Sequence, residues 1–348
     1  MQTLIIGGGL SGLALAEMLE ARGQDYLLLE ARARFGGRIK IEHHDGVGFD
    51  MGPAWFWPGQ PRLLALTERL GLEKFDQFSD GALTFEDENG RVQRDRGFAS
   101  MQGSWRLKDG LGALTQGLVD RLPAARLRLN AHVTQLALTA RGVTAVTKGG
   151  ETFTADRLVL ALPPRLAAEI GYTPALSADA IHALKSVPTW MAGQAKAMAI
   201  YDRPFWREAG LSGDAMSRFG PMVEVHDASP AHGGPYALFG FVGVPPDNRG
   251  EETILRQHLV SQLGRLFGAA AENPVALYIK DWAIDPHTAS ASDRKPIYAH
   301  PTYAMPQSMV GVWDGKLHLA GTEVAPQFGG YLEGALEAAE NVLSTLNN

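Results

Sequence analysis

The strongest constraint on this chain is a glycine-rich hexapeptide within its first dozen residues. Gly7-Gly8-Gly9-Leu10-Ser11-Gly12 follows an apolar run, Leu4 to Ile6, and leads into helical spacing from Gly12 to Arg22. A second apolar run, Tyr26 to Leu29, ends at Glu30, eighteen residues beyond Gly12. Strand, glycine turn, helix and strand in this order predict a βαβ unit with a parallel sheet.

This context predicts a dinucleotide site. Gly7 permits the tight turn, Gly9 lets the backbone approach a pyrophosphate, and Gly12 allows the helix to pack closely on the strand. The helix N-terminus offers backbone N–H groups and a positive dipole end to the phosphates. Glu30 can accept a hydrogen bond from a ribose hydroxyl, and its charge disfavours a 2′-phosphate. The glycine motif alone does not distinguish NAD from FAD.

Composition narrows the remaining classes. A chain of 348 residues with 45% hydrophobic content can form about two domains. The net charge of −6 argues against nucleic acid and anionic membrane surfaces as partners. The sequence contains no cysteine, which excludes disulfides, thiolate metal sites and a flavin held through a thioether. We find neither a signal peptide nor an apolar stretch long enough to span a membrane, and we therefore expect a cytoplasmic protein.

The rest of the chain contains further strand and helix signals. Apolar strands separated by turn dipeptides between Arg126 and Leu162 predict an antiparallel meander. Residues 167–312 mix helical and strand patterns, and we expect them to form most of a second domain. Leu317 to Ala320 predicts a strand, and apolar residues from Leu332 to Leu343 predict a terminal helix. We interpret His43-His44 as a surface pair rather than a metal site.

Several segments carry a family resemblance. Glu30 to Arg38 resembles the extended signature of the flavin amine oxidases, the monoamine and polyamine oxidases and their relatives. Four more segments agree in chain order: Asp50–Trp55, Asp156–Pro164, Lys196–Trp206 and Ala320–Gly334. The resemblance implies an α/β fold, in which a Rossmann-type FAD-binding domain is interleaved with an α+β substrate domain. It assigns 1–56, 120–166 and 313–348 to the first domain, and 57–119 and 167–312 to the second.

The resemblance also implies which residues bind the flavin. Arg38 is expected near the pyrophosphate, Glu323 near the ribityl or phosphate region, and the backbone of Val133 at the adenine. The helix beginning near Tyr331 is expected to direct its N-terminus at the flavin pyrimidine. Together with the glycine turn, the full expected set is Gly7, Gly9, Leu10, Ser11, Gly12, Glu30, Ala31, Arg32, Gly37, Arg38, Gly52, Pro53, Ala54, Trp55, Val133, Ala161, Trp282, Gly321, Thr322, Glu323, Gly330, Tyr331 and Leu332.

The implied activity is oxidation of a small amine by non-covalently bound FAD. In the family, the carbon next to the amine gives up a hydride, oxygen is reduced to hydrogen peroxide, and the imine is hydrolysed. Lys196 matches the family lysine near the flavin N5 atom, and Tyr331 matches one wall of an aromatic cage. Both are therefore the expected catalytic residues. A flavin desaturase, an NAD(P)H-linked oxidoreductase of the same fold and a non-catalytic FAD-binding protein remain alternatives.

The sequence departs from the family pattern at the second cage wall. Trp282 resembles the tryptophan that precedes this wall, but residues 286–293 contain no aromatic side chain. The candidates to replace the wall are Trp190, Tyr298 and Tyr303. Further candidates for lining the substrate pocket are Trp55, Phe56 and Trp57.

Overall fold

The computed structural model describes residues 2–295, 297 and 299–346. The helices of this part of the chain are α1 Leu10–Ala21, α2 Pro61–Arg69, α3 Gly112–Val119, α4 Pro164–Ala167, α5 Ala178–Ser186, α6 Phe205–Glu208, α7 Glu252–Phe267, α8 Val312–Gly315 and α9 Leu332–Leu346. The strands are assigned to their sheets below.

A parallel sheet of five strands forms the first layer, in the order β20-β13-β1-β2-β9. Its strands are β1 Thr3–Ile6, β2 Tyr26–Leu29, β9 Leu127–Arg128, β13 Arg157–Leu160 and β20 Leu317–Leu319. β1 is completely buried, as expected for a strand covered on both faces. The predicted βαβ start and terminal helix are confirmed, although α1 begins two residues before Gly12, at Leu10.

The predicted antiparallel meander is also confirmed. β10 Val133–Thr139, β11 Gly142–Thr147 and β12 Thr152–Ala155 pair antiparallel, and β14 Gly171–Thr173 joins β10 in parallel. From β12 the chain returns through β13 to the first sheet, beside β1, before it forms β14. This return brings the segment after β13 to the carboxyl ends of the parallel strands, where ligands bind in open α/β sheets.

A larger mixed sheet forms the second layer, in the order β19-β15-β18-β17-β16-β6-β7. Its strands are β6 Ala82–Glu86, β7 Val92–Arg94, β15 Ala195–Tyr201, β16 Leu211–Ser217, β17 Met222–Asp227, β18 Tyr236–Val242 and β19 Ala276–Asp281. Two ribbons complete the strands, one of β3 Ile41–His44 with β4 Val47–Asp50, the other of β5 Lys74–Asp76 with β8 Trp105–Leu107. Every residue of β15 is buried, and the strand pairs on both sides, with β18 and with β19.

Helices α2, α3 and α5, which belong to the predicted substrate domain, pack on the parallel-sheet layer. Leu63 of α2 and Leu114 of α3 belong to the same apolar cluster as Leu13 of α1. Leu184 of α5 packs in the cluster that contains Leu158 of β13. Parts of the predicted substrate domain therefore share a core with the first sheet, and the division at the stated boundaries stays a prediction. The α/β class, with a parallel Rossmann-type sheet and a second sheet interleaved in sequence, is confirmed.

One buried carboxylate links α9 to the start of α2. Glu333 accepts hydrogen bonds from the backbone N–H groups of Arg62 (3.0 Å) and Leu63 (2.8 Å). Its side chain is fully buried, and it caps a helix whose own N-cap residue, Gln60, provides no side-chain cap. This contact fixes the first turn of α9, which borders the site described below.

We expect Glu333→Gln to lower the free energy of unfolding by about 1–3 kcal/mol, because the new amide group places a donor against backbone donors in a buried position. Urea denaturation of the cofactor-free protein measures this. Glu340→Gln is the matched control, since Glu340 also accepts from Arg62 but is half exposed and should change stability by less than about 0.5 kcal/mol. Equal losses in the two variants would contradict the capping role.

Candidate functional site

A cavity of about 540 Å³ lies between the carboxyl ends of the parallel strands and the second sheet. This volume is within the range of about 300–1,000 Å³ that is usual for ligand and cofactor sites. The residues predicted from sequence that line it are Gly7, Gly9, Leu10, Ser11, Glu30, Ala31, Arg32, Gly37, Arg38, Gly52, Pro53, Ala54, Trp55, Val133, Ala161, Lys196, Trp282, Gly321, Thr322, Gly330, Tyr331 and Leu332. Gly12 and Glu323 lie behind this surface.

The glycine turn has three distinct environments. Gly7 has a φ of 111°, and a Cβ there would lie 2.4 Å from the carbonyl oxygen of Ala161. A Cβ on Gly12 would lie 1.9 Å from the carbonyl oxygen of Gly7, so the helix approaches the turn as closely as a glycine allows. By contrast, a Cβ on Gly9 would meet only the Cα of Gly37, at 4.0 Å, and would occupy open space in the cavity.

Glu30 both lines the cavity and holds the turn in place. One carboxylate oxygen accepts from the backbone N–H of Gly8 at 2.7 Å, and the other accepts from the N–H of Arg32 at 2.8 Å. The carboxylate is buried, and backbone donors compensate its charge. Remaining lone pairs can accept a ligand hydroxyl group.

The C-terminal segment closes the cavity from the other side. The Ser11 hydroxyl group in α1 donates to the carbonyl oxygen of Ala320, and the Thr322 hydroxyl group donates to that of Tyr331 at 2.7 Å. Glu323 is fully buried and accepts from the guanidinium group of Arg38 at 2.5 Å. Glu323 therefore reaches the cavity through Arg38 and does not line it itself.

Lys196 is buried at the cavity wall. Its Nζ atom donates to the carbonyl oxygens of Asp50 (3.1 Å) and Gly52 (2.7 Å) and lies 4.2 Å from the ring centroid of Phe239. The indole N–H of Trp282 donates to the intervening carbonyl, that of Met51, at 2.9 Å. Lys196 and Trp282 thus bind three successive carbonyl groups, those of residues 50–52. Met51 and Gly52 themselves line the cavity.

The charge of Lys196 is sensitive to its surroundings. Burial lowers the pKa of Lys196 far below its ordinary value, Asp50 opposes this change, and Arg106 adds to it. Burial likewise raises the pKa of the Asp50 carboxyl group, against the attraction of Lys196 and Arg106. A lysine with a lowered pKa can change its protonation state near neutral pH, and perturbed groups of this kind concentrate at functional sites.

The aromatic residues predicted to line a pocket separate into two groups. Trp55 and Trp57 line the cavity, together with Phe241, which the sequence did not indicate. Phe56 does not line it: this expectation is wrong, because the Phe56 side chain turns into the core and packs against Trp105. Consecutive residues point to different sides of the chain, which explains why only part of the aromatic run reaches the cavity.

The candidates for the second cage wall also differ in position. Trp190 lines the cavity, whereas Tyr303 is buried outside it and donates to the carbonyl oxygen of Pro188. Tyr298 lies outside the described residues. His300, which the sequence did not indicate, stacks on Tyr331 with ring centroids 4.8 Å apart and also contacts Trp190 edge to face. His300 therefore packs against both Tyr331 and Trp190.

Within residues 2–295, 297 and 299–346, no cluster of His, Asp and Glu side chains could hold a metal ion. His43 is exposed, while the imidazole of His44 hydrogen-bonds the Tyr278 hydroxyl group at 3.0 Å. No helix in the described part of the chain is long and apolar enough to cross a membrane.

The fold and the cavity define a Rossmann-type dinucleotide-binding protein, in which a second sheet contributes the buried Lys196 and the aromatic ring of Phe241 to the cavity wall. Comparison with known proteins identifies the family. The sequence pattern of the family described as flavin containing amine oxidoreductase matches residues 10–98 and 91–343, and the chain belongs to that family.

Individual relatives and solved structures agree over nearly the whole chain. A probable flavin-containing monoamine oxidase A of Dictyostelium discoideum is 22% identical and covers 97% of this chain and 96% of its own. An L-amino acid dehydrogenase of Synechocystis is 24% identical, covering 97% and 93%. A cyclohexylamine oxidase from Brevibacterium oxydans has a TM-score of 0.84 at 19% identity, over 100% of this chain and 99% of its own. A putrescine oxidase bound to putrescine has a TM-score of 0.83 at 20% identity, over 100% and 99%. The chain is thus a flavin-dependent oxidoreductase of the amine oxidase family.

Proposed function

We propose that this protein is an oxidase that uses non-covalently bound FAD to oxidise a small apolar amine. The observation that carries the proposal is Lys196, buried at the wall of a cavity that joins the glycine turn to a set of aromatic side chains. Bound FAD would supply the redox chemistry, that is, acceptance of a hydride from the carbon next to the amine and reduction of oxygen by two electrons and two protons to hydrogen peroxide. The imine product then takes up water.

The residues that line the cavity support FAD as the cofactor. The open space at Gly9 and the N-terminus of α1 would receive the pyrophosphate, with Arg38 beside it. Glu30 would accept a ribose hydroxyl group, and the backbone of Val133 would border the adenine. At the other end, Tyr331 and Leu332 at the start of α9 would border the flavin ring. Because the sequence contains no cysteine, a thioether to the flavin is excluded.

Aromatic side chains and Lys196 around the cavity would favour the neutral amine and assist the reduction of oxygen. Aromatic walls exclude water, and a desolvated site favours the neutral form of an amine over the ammonium form. We assign Tyr331 as one wall and keep Trp190 as a candidate for the other; the face of an aromatic ring can attract a partly positive nitrogen. Lys196 would stabilise negative charge as oxygen is reduced and would exchange protons in that step.

The distribution of charge in the cavity indicates the substrate class. The guanidinium groups that line it, Arg32 and Arg38, belong to the nucleotide segment, and Lys196 is engaged with backbone carbonyls. The cavity is also lined by the carboxylate of Glu169 and by the amides of Gln60 and Gln194. This lining suits an amine with an apolar body better than an amino acid, whose carboxylate needs a cationic partner. A cytoplasmic location stays a prediction from the sequence.

The flavin absorbance of the purified protein under anaerobic conditions tests the proposal. We expect cyclohexylamine or benzylamine to bleach the absorbance at least about tenfold faster than leucine, because the leucine carboxylate would be buried without a free cationic partner. NADH and NADPH should not bleach it. A yellow protein that no amine bleaches would contradict amine oxidation, and bleaching by NAD(P)H alone would indicate the linked-oxidoreductase alternative.

A further inference from the structure

One segment of the second layer crosses to the nucleotide end of the cavity. After β19 the chain passes Trp282 and forms a turn that we call the strap, residues 285–293. Pro286, His287 and Thr288 of the strap line the cavity beside Arg32 and Val133. Glu30, directly after β2, is the acidic residue expected at the ribose of the adenosine half. The strap therefore lies at the adenosine end of the cavity, although it is far from the glycine turn in sequence.

Two ion pairs join the strap to the parallel-sheet layer. At its start, Asp285 accepts from the guanidinium group of Arg32 at 2.6 Å, and Thr288 accepts from the same nitrogen at 3.0 Å. At its end, the buried Asp293 accepts from Arg165, which follows β13, at 2.5 Å. The strap is thus attached at both ends across the cavity.

The Arg32–Asp285 pair is part of a continuous polar chain. Arg32 donates its backbone N–H to Glu30, and Glu30 accepts from the glycine turn. On the far side, Asp285 also accepts from Lys280 at 2.7 Å. Burial raises the pKa of Asp285, but Lys280 and Arg32 outweigh burial and lower this pKa to about 2. The carboxylate is therefore charged at any pH at which the protein would be assayed.

Two imidazole rings meet at the same end of the cavity. His132 precedes β10, His287 belongs to the strap, and their ring centroids are 5.0 Å apart at an interplanar angle of 87°. Burial, Arg32 and His132 lower the pKa of His287. A neutral ring beside Val133 provides an apolar and aromatic edge of the kind on which a purine packs.

From these contacts we propose that the strap forms the adenosine subsite of the dinucleotide cavity, with Arg32–Asp285 as the ion pair that holds it closed. The second layer then retains the cofactor as well as binding substrate. The inference rests on the proposed FAD cofactor, but it concerns retention of the adenosine half and is independent of which amine is oxidised.

The test compares FAD release from the wild-type and Asp285→Ala holoenzymes, followed as flavin fluorescence after dilution. We expect release to be at least about tenfold faster in the variant, because an enclosed charge-assisted contact is lost. The affinity of the cofactor-free protein for ADP should fall by a similar factor. Asp281→Asn is the matched control, since Asp281 pairs with Arg249 within the second layer; its release rate should stay within about twofold of wild type.

The contrary outcomes are distinct. An unchanged release rate in Asp285→Ala would overturn the proposal, as would faster release with unchanged ADP affinity, which would locate the effect at the flavin half. Hydrogen exchange of the wild-type protein provides a second measurement, free of folding defects in a variant. Backbone amides of 287–293 should exchange more slowly when ADP is added to the cofactor-free protein, and no slowing would also overturn the proposal. A protein that binds no FAD would instead refute the proposed function.

Discussion

Lys196→Met is expected to slow the reaction of the reduced protein with oxygen by about 100-fold, the typical cost of removing one preorganised charge-stabilising group. Reduction by the amine should change by only a few-fold, because the aromatic walls that position the substrate remain. Stopped-flow absorbance separates the two half-reactions, with anaerobic mixing for the first and mixing of the reduced protein with oxygenated buffer for the second. Equal slowing of both would contradict a role in oxygen reduction.

Lys196→Gln separates charge from positioning. The glutamine amide group can still donate to the carbonyl oxygens of Asp50 or Gly52, which Lys196 holds in the wild type, but it carries no charge. If Lys196 acts by its charge, the glutamine variant should be as slow toward oxygen as the methionine variant. Recovery of the oxygen reaction in the glutamine variant would show that Lys196 acts by holding the backbone.

A role of the Lys196 charge in oxygen reduction also predicts that this reaction depends on pH. Lysine is cationic below its pKa, and burial lowers the pKa of Lys196 despite the opposing charge of Asp50. The oxygen reaction should therefore slow as pH rises through this lowered pKa, well before an ordinary lysine would titrate. Both substitutions at position 196 should remove this decline. Since the Asp50 pKa is raised and the two groups titrate together, the midpoint belongs to the pair.

The sequence predicted the parts of this molecule that depend on local pattern. The glycine turn and its flanking strands, α1 and α9 each follow from spacing of apolar residues and from the need for a missing Cβ. The burial of Lys196 also agrees with its neighbours in sequence, since Ala195, Ala197, Met198 and Ala199 are apolar on both faces of the strand. Resemblance to the family then placed the C-terminal segment opposite the turn.

Contacts between distant parts of the chain could not be predicted in this way. The Arg32–Asp285 pair joins residues 253 positions apart, and neither side chain has a neighbour in sequence that indicates its partner. His300 is an isolated histidine in an irregular segment, and only the fold stacks it on Tyr331. Phe56 was a candidate for the pocket together with Trp55 and Trp57, but its side chain faces the core.

The glycine turn gives the second large expected effect. Gly9→Ala should weaken FAD binding by at least about 100-fold, because the new methyl group would occupy the space where the backbone approaches the pyrophosphate. The stability of the cofactor-free protein should be nearly unchanged, since a Cβ at this position meets only the Cα of Gly37 at 4.0 Å. FAD titration by fluorescence quenching and urea denaturation of the cofactor-free protein measure the two quantities.

Gly12→Ala, three residues later, is the matched comparison. Its Cβ would lie 1.9 Å from the carbonyl oxygen of Gly7, a backbone contact that cannot relax without moving α1 away from the turn. We expect this variant to lose about 3 kcal/mol or more of unfolding free energy before any cofactor is added, at the upper end of the usual cost of overpacking. If Gly9→Ala instead destabilised the cofactor-free protein as much as Gly12→Ala, position 9 would be a packing position, and the assignment of the pyrophosphate to that space would fail.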